Sequence, residues 1–414
     1  MTSPLLPERL GVNGSAPSHG GRSGPLVGLR VIELAGIGPG PHAAMLLADM
    51  GAEVLRVDRP GQTATGVPAA VDVLRRGRRS VVIDLRSPAG VAAVLELVKS
   101  ADVLIEGFRP GVTERLGVGP EDCWAVNPRL VYGRMTGWGQ QGPLASTAGH
   151  DIGYVALTGA LHAIGRKGAP PTPPLNLVGD FGGGSTYLVI GVLAAVIESS
   201  RSGRGQVVDA AIVDGASSLT ALLHGMLAAD MWRDEPASNA FDSGTPWYDV
   251  YETSDGRYMA VGAIEPAFYA TLMQALGLEA DEAERADPSR WPRLRSRIAA
   301  VFATRSRDDW AEVFAATDGC VAPVLSLTEA PRHSHIAARG TFIDVGGVQQ
   351  PAPAPRFSRT PSGRPTAPVT PGTHTRDALR DWGISDIDGL LAAGVAIQHG
   401  EGQAAAEAAP RADR

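Results

Sequence analysis

The sequence predicts an α/β fold: a large, doubly wound domain on a mostly parallel sheet, plus a smaller α+β domain. Three observations predict it. Short apolar runs alternate with helical stretches through the first half. At 414 residues the chain exceeds one ordinary core, so two domains are expected. A polar, irregular stretch over 233–246 then separates this alternation from a hairpin pattern.

Residues 30–34 read as a short buried strand, followed by a Gly/Pro turn, a helix over 43–50 and a second strand over 53–57, which make a βαβ unit. A strand is expected at 81–85. Ser87 then caps a helix with Pro88 in its first turn, and Val91, Val94, Leu95 and Val98 form its apolar stripe. The chain returns as a strand at 103–106. A helix is expected from 185 to 197, a strand at 206–210 and a long helix over 213–229. After the linker, strands at 251–253 and 257–261 flank Ser254-Asp255-Gly256, a hairpin signal. Ser306 with Asp309 forms a capping box. Residues 351–371 are proline-rich and extended, and 375–393 read as a last helical segment. The predicted organisation is an extension at 1–24, a large domain at 25–232, a linker at 233–246, a small domain at 247–345, a connecting and C-terminal segment at 346–398, and a tail at 399–414.

Hydrophobic residues make up 44% of the chain and charged residues 20%, the balance of a globular protein. A formal net charge of −7 argues against a nucleic-acid partner. The longest apolar run, 187–197, is too short to span a bilayer, and the N-terminal stretch lacks the apolar core of a secretion signal. The two cysteines, Cys123 and Cys320, fit neither a disulfide framework nor metal-ligand spacing, so a cytoplasmic location with no metal is expected.

Two segments set an acid/base group beside unusual backbone. Gly149-His-Asp151 carries His150. Val178-Gly-Asp-Phe-Gly-Gly-Gly184 carries Asp180. Glycines let backbone approach a ligand closely. An imidazole and a carboxylate facing one carbon could take a proton from one side and return it on the other. Each also has a plainer reading: His150 as a structural or surface histidine, and Asp180 as the N-cap of the following helix. Gly36-Ile-Gly38-Pro-Gly40, with Asp58 ending the next strand, resembles a dinucleotide fingerprint. Pro41 stands where the third glycine belongs, so a tight turn beside another ligand is favoured. Arg75, Arg76, Arg78 and Arg79 are either a solvated face or an anion site for a small phosphorylated ligand. Glu265, before Pro266, suits the first turn of a helix, where it is a dipole partner or could orient a histidine.

Longer motifs carry a resemblance. They are residues 26–60, Ile105-Glu-Gly-Phe-Arg-Pro-Gly-Val-Thr-Glu-Arg-Leu-Gly117, Thr136-Gly-Trp-Gly-Gln-Gln-Gly-Pro143, Gly149-His-Asp151, Pro174-Leu-Asn-Leu-Val-Gly-Asp-Phe-Gly-Gly-Gly184 and Gly203-Arg-Gly-Gln-Val-Val-Asp-Ala-Ala211. From about residue 25 to about 360 the chain resembles the family III CoA-transferase superfamily, and within it the α-methylacyl-CoA racemases. The resemblance implies a large CoA-binding domain that the C-terminal segment rejoins. It also implies an interlocked homodimer, with each active site between the large domain of one subunit and the small domain of the other. By position, His150 and Asp180 resemble the two acid/base residues, and Glu265 the carboxylate that orients His150. Arg59, Ile83, Asp84, Leu85, Arg86, Phe108, Arg109, Pro110, Arg115 and the stretch Gly149, His150, Asp151, Ile152, Gly153, Tyr154 resemble CoA contacts. Arg76 and Arg79 would be phosphate partners, and the 36–40 turn would lie along CoA.

The implied substrate is an acyl-CoA. The implied activity is racemisation of 2-methylacyl-CoA thioesters, with no cofactor beyond the CoA moiety. His150 and Asp180 would exchange the α-proton through an enolate, with burial raising the proton affinity of Asp180. Amides of 182–184 could support the enolate oxygen. The alternative is CoA transfer between carboxylic acids, with Asp180 as nucleophile. His150 separates the two, because the transferases of this superfamily generally lack a histidine there.

Overall fold

The computed structural model describes residues 21–61 and 67–400. Most of the extension expected at 1–24 and of the tail expected at 399–414 therefore lies outside the described residues. Six strands come first: β1 (Arg30–Leu34), β2 (Glu53–Asp58), β3 (Arg79–Ile83), β4 (Val103–Glu106), β5 (Val131–Thr136) and β6 (Val207–Ala211). Next, β7 (Tyr248–Glu252), β8 (Tyr258–Gly262) and β9 (Val321–Pro323) form a small antiparallel sheet. A hairpin follows, β10 (Phe342–Val345) with β11 (Val348–Pro351), and β12 (Ala396–Ile397) comes last.

The large sheet runs β12-β3-β2-β1-β4-β5-β6. Every pairing in it is parallel except β12 on β3. The expected α/β architecture is therefore present. Helices cover both faces, so the strands are apolar on both sides. Ile32, Leu55, Val81 and Leu104 face the helix Pro88–Val98 and the C-terminal residues Leu379 and Trp382. Val31, Val54, Val103 and Val131 face Pro39–Asp49 and Thr186–Ser202. A third core, around Tyr269, Phe302 and Trp310, lies beneath the small sheet.

Several elements differ from expectation. The strand expected at 81–85 occupies 79–83, which places Asp84 and Leu85 beyond its carboxyl end. The helix expected over 213–229 is two, Ile212–Leu219 and Ala221–Ala228, with Thr220 between them. The last segment is likewise two helices, Thr375–Asp381 and Ile387–Ala392, with Gly383 at φ +88° between them.

The largest difference concerns the helix expected at 185. Helical structure begins at Leu177, in wide turns such as Phe181 N–H to Asn176 C=O at 3.2 Å, and continues to Ser202. Gly183 and Gly215 let this helix and Ile212–Leu219 touch backbone to backbone. A Cβ on Gly183 would lie 2.4 Å from the Ala216 nitrogen, and one on Gly215 would lie 1.8 Å from the Gly183 oxygen. The glycine run is therefore a helix-crossing device. By length and apolarity Leu177–Ser202 could cross a membrane. Here Leu188, Val189 and Val192 are buried in the core that lies on β4 and β5.

Candidate active site

The parallel order reverses between β1 and β4, so the loops after these strands leave toward opposite faces of the sheet. A crevice opens between such loops at the carboxyl ends of the strands. Here it holds about 380 Å³. Ile37, Gly38 and Pro39 after β1 form one wall, and Phe108, Arg109 and Pro110 after β4 form the other. The end of β5, with Trp138, forms the floor. His150, Tyr154 and Asp180 also line it.

The structure thus brings His150 and Asp180 into one cleft, across 30 residues of sequence. His150 is the extended N-cap residue of the helix Asp151–Leu157 (φ −135°, ψ 168°) and is exposed. Asp180 sits in the first turn of its helix. Gly38, at φ +65°, brings the turn after β1 against it: a Cβ there would be 3.4 Å from Asp180 Oδ2. Burial, then the negative charge of Asp151, push the Asp180 carboxyl up to about 6. A hydrogen bond with Asn176 and the proximity of His150 oppose that shift. An acid that titrates near neutrality can serve as proton donor and acceptor in turn.

Two glycines beside the cleft have a steric purpose. The Tyr154 ring meets Trp138 edge-on at 4.7 Å. A Cβ on Gly137 or Gly149 would strike that tyrosine at 2.0 or 2.5 Å. Tyr154 was expected as a CoA contact, whereas Trp138 and Asn176 stood within the longer motifs without a role of their own; the ring contact between Trp138 and Tyr154 was not legible.

The remaining expected residues divide clearly. Arg59, Arg86, Arg109 and Arg115 are exposed near the carboxyl ends of β2, β3 and β4. Among the described residues Arg59, Arg109 and Arg115 have no ion pair, while Arg86 is tied to Asp84 at 3.0 Å. Leu85, Pro110, Ile152 and Gly153 are partly or fully accessible along the same edge or on the His150 helix. Phe108 packs partly on the core, and its N–H donates to Glu106 at 2.6 Å.

Four expectations are corrected. Arg76 cannot hold a phosphate. It is 2% exposed, with Asp49 gripping its guanidinium at 2.6 and 3.2 Å and Gln350 and the Pro351 carbonyl taking further N–H groups. Arg79 pairs with Glu53 and Asp381, at 2.5 Å each, at the opposite end of its strand from the cleft. Their neighbours are also internal: Arg75 binds Asp58, and Arg78 binds Glu33. Asp58, with Arg56, Arg75 and Ser80 on its carboxylate, has no room for a ribose. Second, the Ile83 side chain is core, at 1% exposure. Third, the Asp151 carboxylate is buried, and its Oδ2 accepts the Asp180 N–H at 2.7 Å instead of facing a ligand. Fourth, the amides of 182–184 lie inside a helix, with Gly183 and Gly184 buried.

Glu265 is the exposed N-cap residue of Pro266–Ala275 and does not line the cleft. Within one chain the structure does not bring it to His150.

The sequence profile of CoA-transferase family III matches residues 26–375. The chain belongs to this family. Two family members resemble it over nearly their whole length. The α-methylacyl-CoA racemase of Mus musculus is 45% identical over 87% of this chain and 94% of its own, and that of Homo sapiens is 44% identical over the same shares. Among solved structures, a CAIB/BAIF family protein from Brucella suis superposes with a TM-score of 0.76 at 27% identity, covering 87% of this chain and all of that one.

Proposed function

We propose that the protein is an α-methylacyl-CoA racemase, an isomerase that interconverts the R and S forms of 2-methylacyl-CoA thioesters. The observation that carries this reading is the meeting in one cleft of a family III chain of His150 and Asp180, whose carboxyl is raised to about 6. Identity of 44–45% to two racemases supports it. The thioester carbonyl acidifies the α-proton. Neutral His150 removes that proton from one face, leaving a planar enolate, and protonated Asp180 returns a proton to the other face. The reverse reaction exchanges their roles. The scheme calls for no cofactor beyond the CoA already on the substrate.

The four exposed arginines at the strand ends suit the phosphates of CoA. A homodimer belongs to the reading. Glu265, exposed and away from the cleft of its own chain, is taken to orient His150 from a second subunit, and Leu157, Leu175 and Leu222, at 66%, 74% and 64% exposure, supply apolar surface for that subunit to cover. Both cysteines are free thiols, which agrees with a cytoplasmic location.

The test is to incubate one enantiomer of a 2-methylacyl-CoA with the protein in heavy water, without an acceptor acid. Deuterium enters the α-carbon as optical purity is lost. Passage of CoA to an added carboxylate without such exchange would show a transferase and overturn the reading.

A further inference from the structure

Asp151 does something that its place at a helix start does not explain. An acid in the first helical turn usually stays in solvent and complements the helix dipole. This one is 9% exposed. Its Oδ2 accepts the backbone N–H of Asp180, 29 residues away, at 2.7 Å. Its Oδ1 is buried without a hydrogen-bond partner. Gly179 makes the contact possible, because a Cβ there would fall 2.3 Å from Oδ2. Among the described residues no Lys or Arg pairs with this carboxylate. The molecule thus keeps an uncompensated charge beside the acid that lines the cleft.

We propose that Asp151 is a positioning residue for Asp180: it ties the start of the His150 helix to the turn carrying Asp180, and it sets a second negative charge beside that carboxyl. The proposal rests on Asp180 being a proton-transfer group. One contact does two jobs. It fixes the relative placement of the two reacting side chains, since His150 directly precedes Asp151. It also opposes ionisation of Asp180, as a like charge nearby does. Three other titratable groups face this turn from the packed elements and the cleft walls: His42 on Pro39–Asp49, whose ring meets Phe181 at 4.4 Å, and Tyr154 and Arg109, which line the cleft with Asp180 and His150. Arg134 and Asp209 lie on the other face of the sheet, where Arg134 pairs with Glu106 and Glu114. His42 is neutral, its pKa pushed down to about 4 by burial and the nearby Arg76 and Arg78. The influences that act on the Asp180 carboxyl are burial, Asp151, Asn176 and His150.

The test is the pH profile of kcat/KM for α-proton exchange. Asp151→Asn keeps an oxygen to accept the Asp180 N–H and removes the charge. With the enantiomer whose α-proton Asp180 removes, so that Asp180 must be ionised, its acid limb should move down by about one pH unit. Asp151→Glu keeps the charge in a displaced position, so its limb stays near the original while kcat falls. An unchanged limb in Asp151→Asn, or equal movement in both variants, overturns the proposal. An infrared pH titration of the unsubstituted protein reads the same property without activity. A carboxyl band absent from Asp180→Asn should titrate with a midpoint near 6, the value to which Asp180 is raised. A midpoint near 4 overturns the proposal even if the protein proves to be a transferase. Failure of exchange with a midpoint near 6 would instead remove the racemase reading alone.

Discussion

Two groups of acids in the large domain, all buried except the half-buried Asp180, meet the same physical problem in opposite ways. Glu33, Asp49 and Asp58 are each held by arginine: Glu33 by Arg56 at 2.6 Å and by Arg78, Asp49 by Arg76, and Asp58 by Arg56 and Arg75. Asp151 and Asp180, at the carboxyl ends of the strands, have no such partner among the described residues. The first group holds elements together. Arg76 joins the Pro39–Asp49 helix to the β10–β11 hairpin, 274 residues further on. In the second group burial and the neighbouring Asp151 raise the Asp180 carboxyl to about 6, so that it exchanges a proton near neutral pH. Burial alone does not distinguish a structural acid from a chemical one. The presence or absence of a cation beside it does.

The largest break of this contrast is at the cleft. His150→Ala and Asp180→Ala should each lower deuterium exchange at the α-carbon by about 1,000-fold or more, while circular dichroism stays unchanged. Full activity in either variant refutes the two-base account. At the compensated acids the loss should be of stability. Asp49→Ala strands a buried guanidinium and should cost about 3–5 kcal/mol in denaturant unfolding, with no selective effect on KM. A loss below about 1 kcal/mol would mean that water solvates Arg76.

A smaller effect of opposite sign is expected at Asp180. Its folded pKa, about 6, lies above its ordinary value of 3.8. The folded protein therefore binds more protons between those values, and Asp180 costs stability as pH rises from 4 through 6. Asp180→Asn should stabilise the fold at pH 7 by roughly 1 kcal/mol, less than the full shift implies because the group is partly solvated. The gain should vanish by pH 4, as a series of urea midpoints would show. The smallest effect sharpens the comparison from outside. Arg86, exposed and paired among the described residues with Asp84 alone, should leave the melting temperature unchanged on substitution by Ala. Arg109→Ala should raise KM for an acyl-CoA several-fold with little change in kcat.

The parallel sheet was legible because its strands are short and apolar and its helices carry regular stripes. β5 was not, because Gly133 and Arg134 interrupt its apolar run. Gly133 is there to admit Leu188, which a Cβ would approach to 3.0 Å. His150 and Asp180 were legible through the motifs around them. The arginine cluster was misread for a physical reason: its partners Glu33, Asp49, Asp58 and Gln350 are scattered along the chain, so local charge density looked unbalanced. Asp151 was assigned to the wrong neighbour for the same reason, since its acceptor role depends on Gly179 arriving from another element.

β12 has a consequence for the order of events during synthesis. Ala396 and Ile397 pair with Ile83 and Val82, and Trp382, from the same late segment, completes the core over β1 to β4. Until Ala396 and Ile397 have been made and have emerged from the ribosome, β3 presents an open apolar edge to the cell. Such an edge invites pairing with another chain, and contacts this distant in sequence form slowly. Completion of the sheet thus waits for a segment about 300 residues beyond β3, and the short antiparallel strand acts as a closing stitch whose loss would appear first as aggregation of newly made protein.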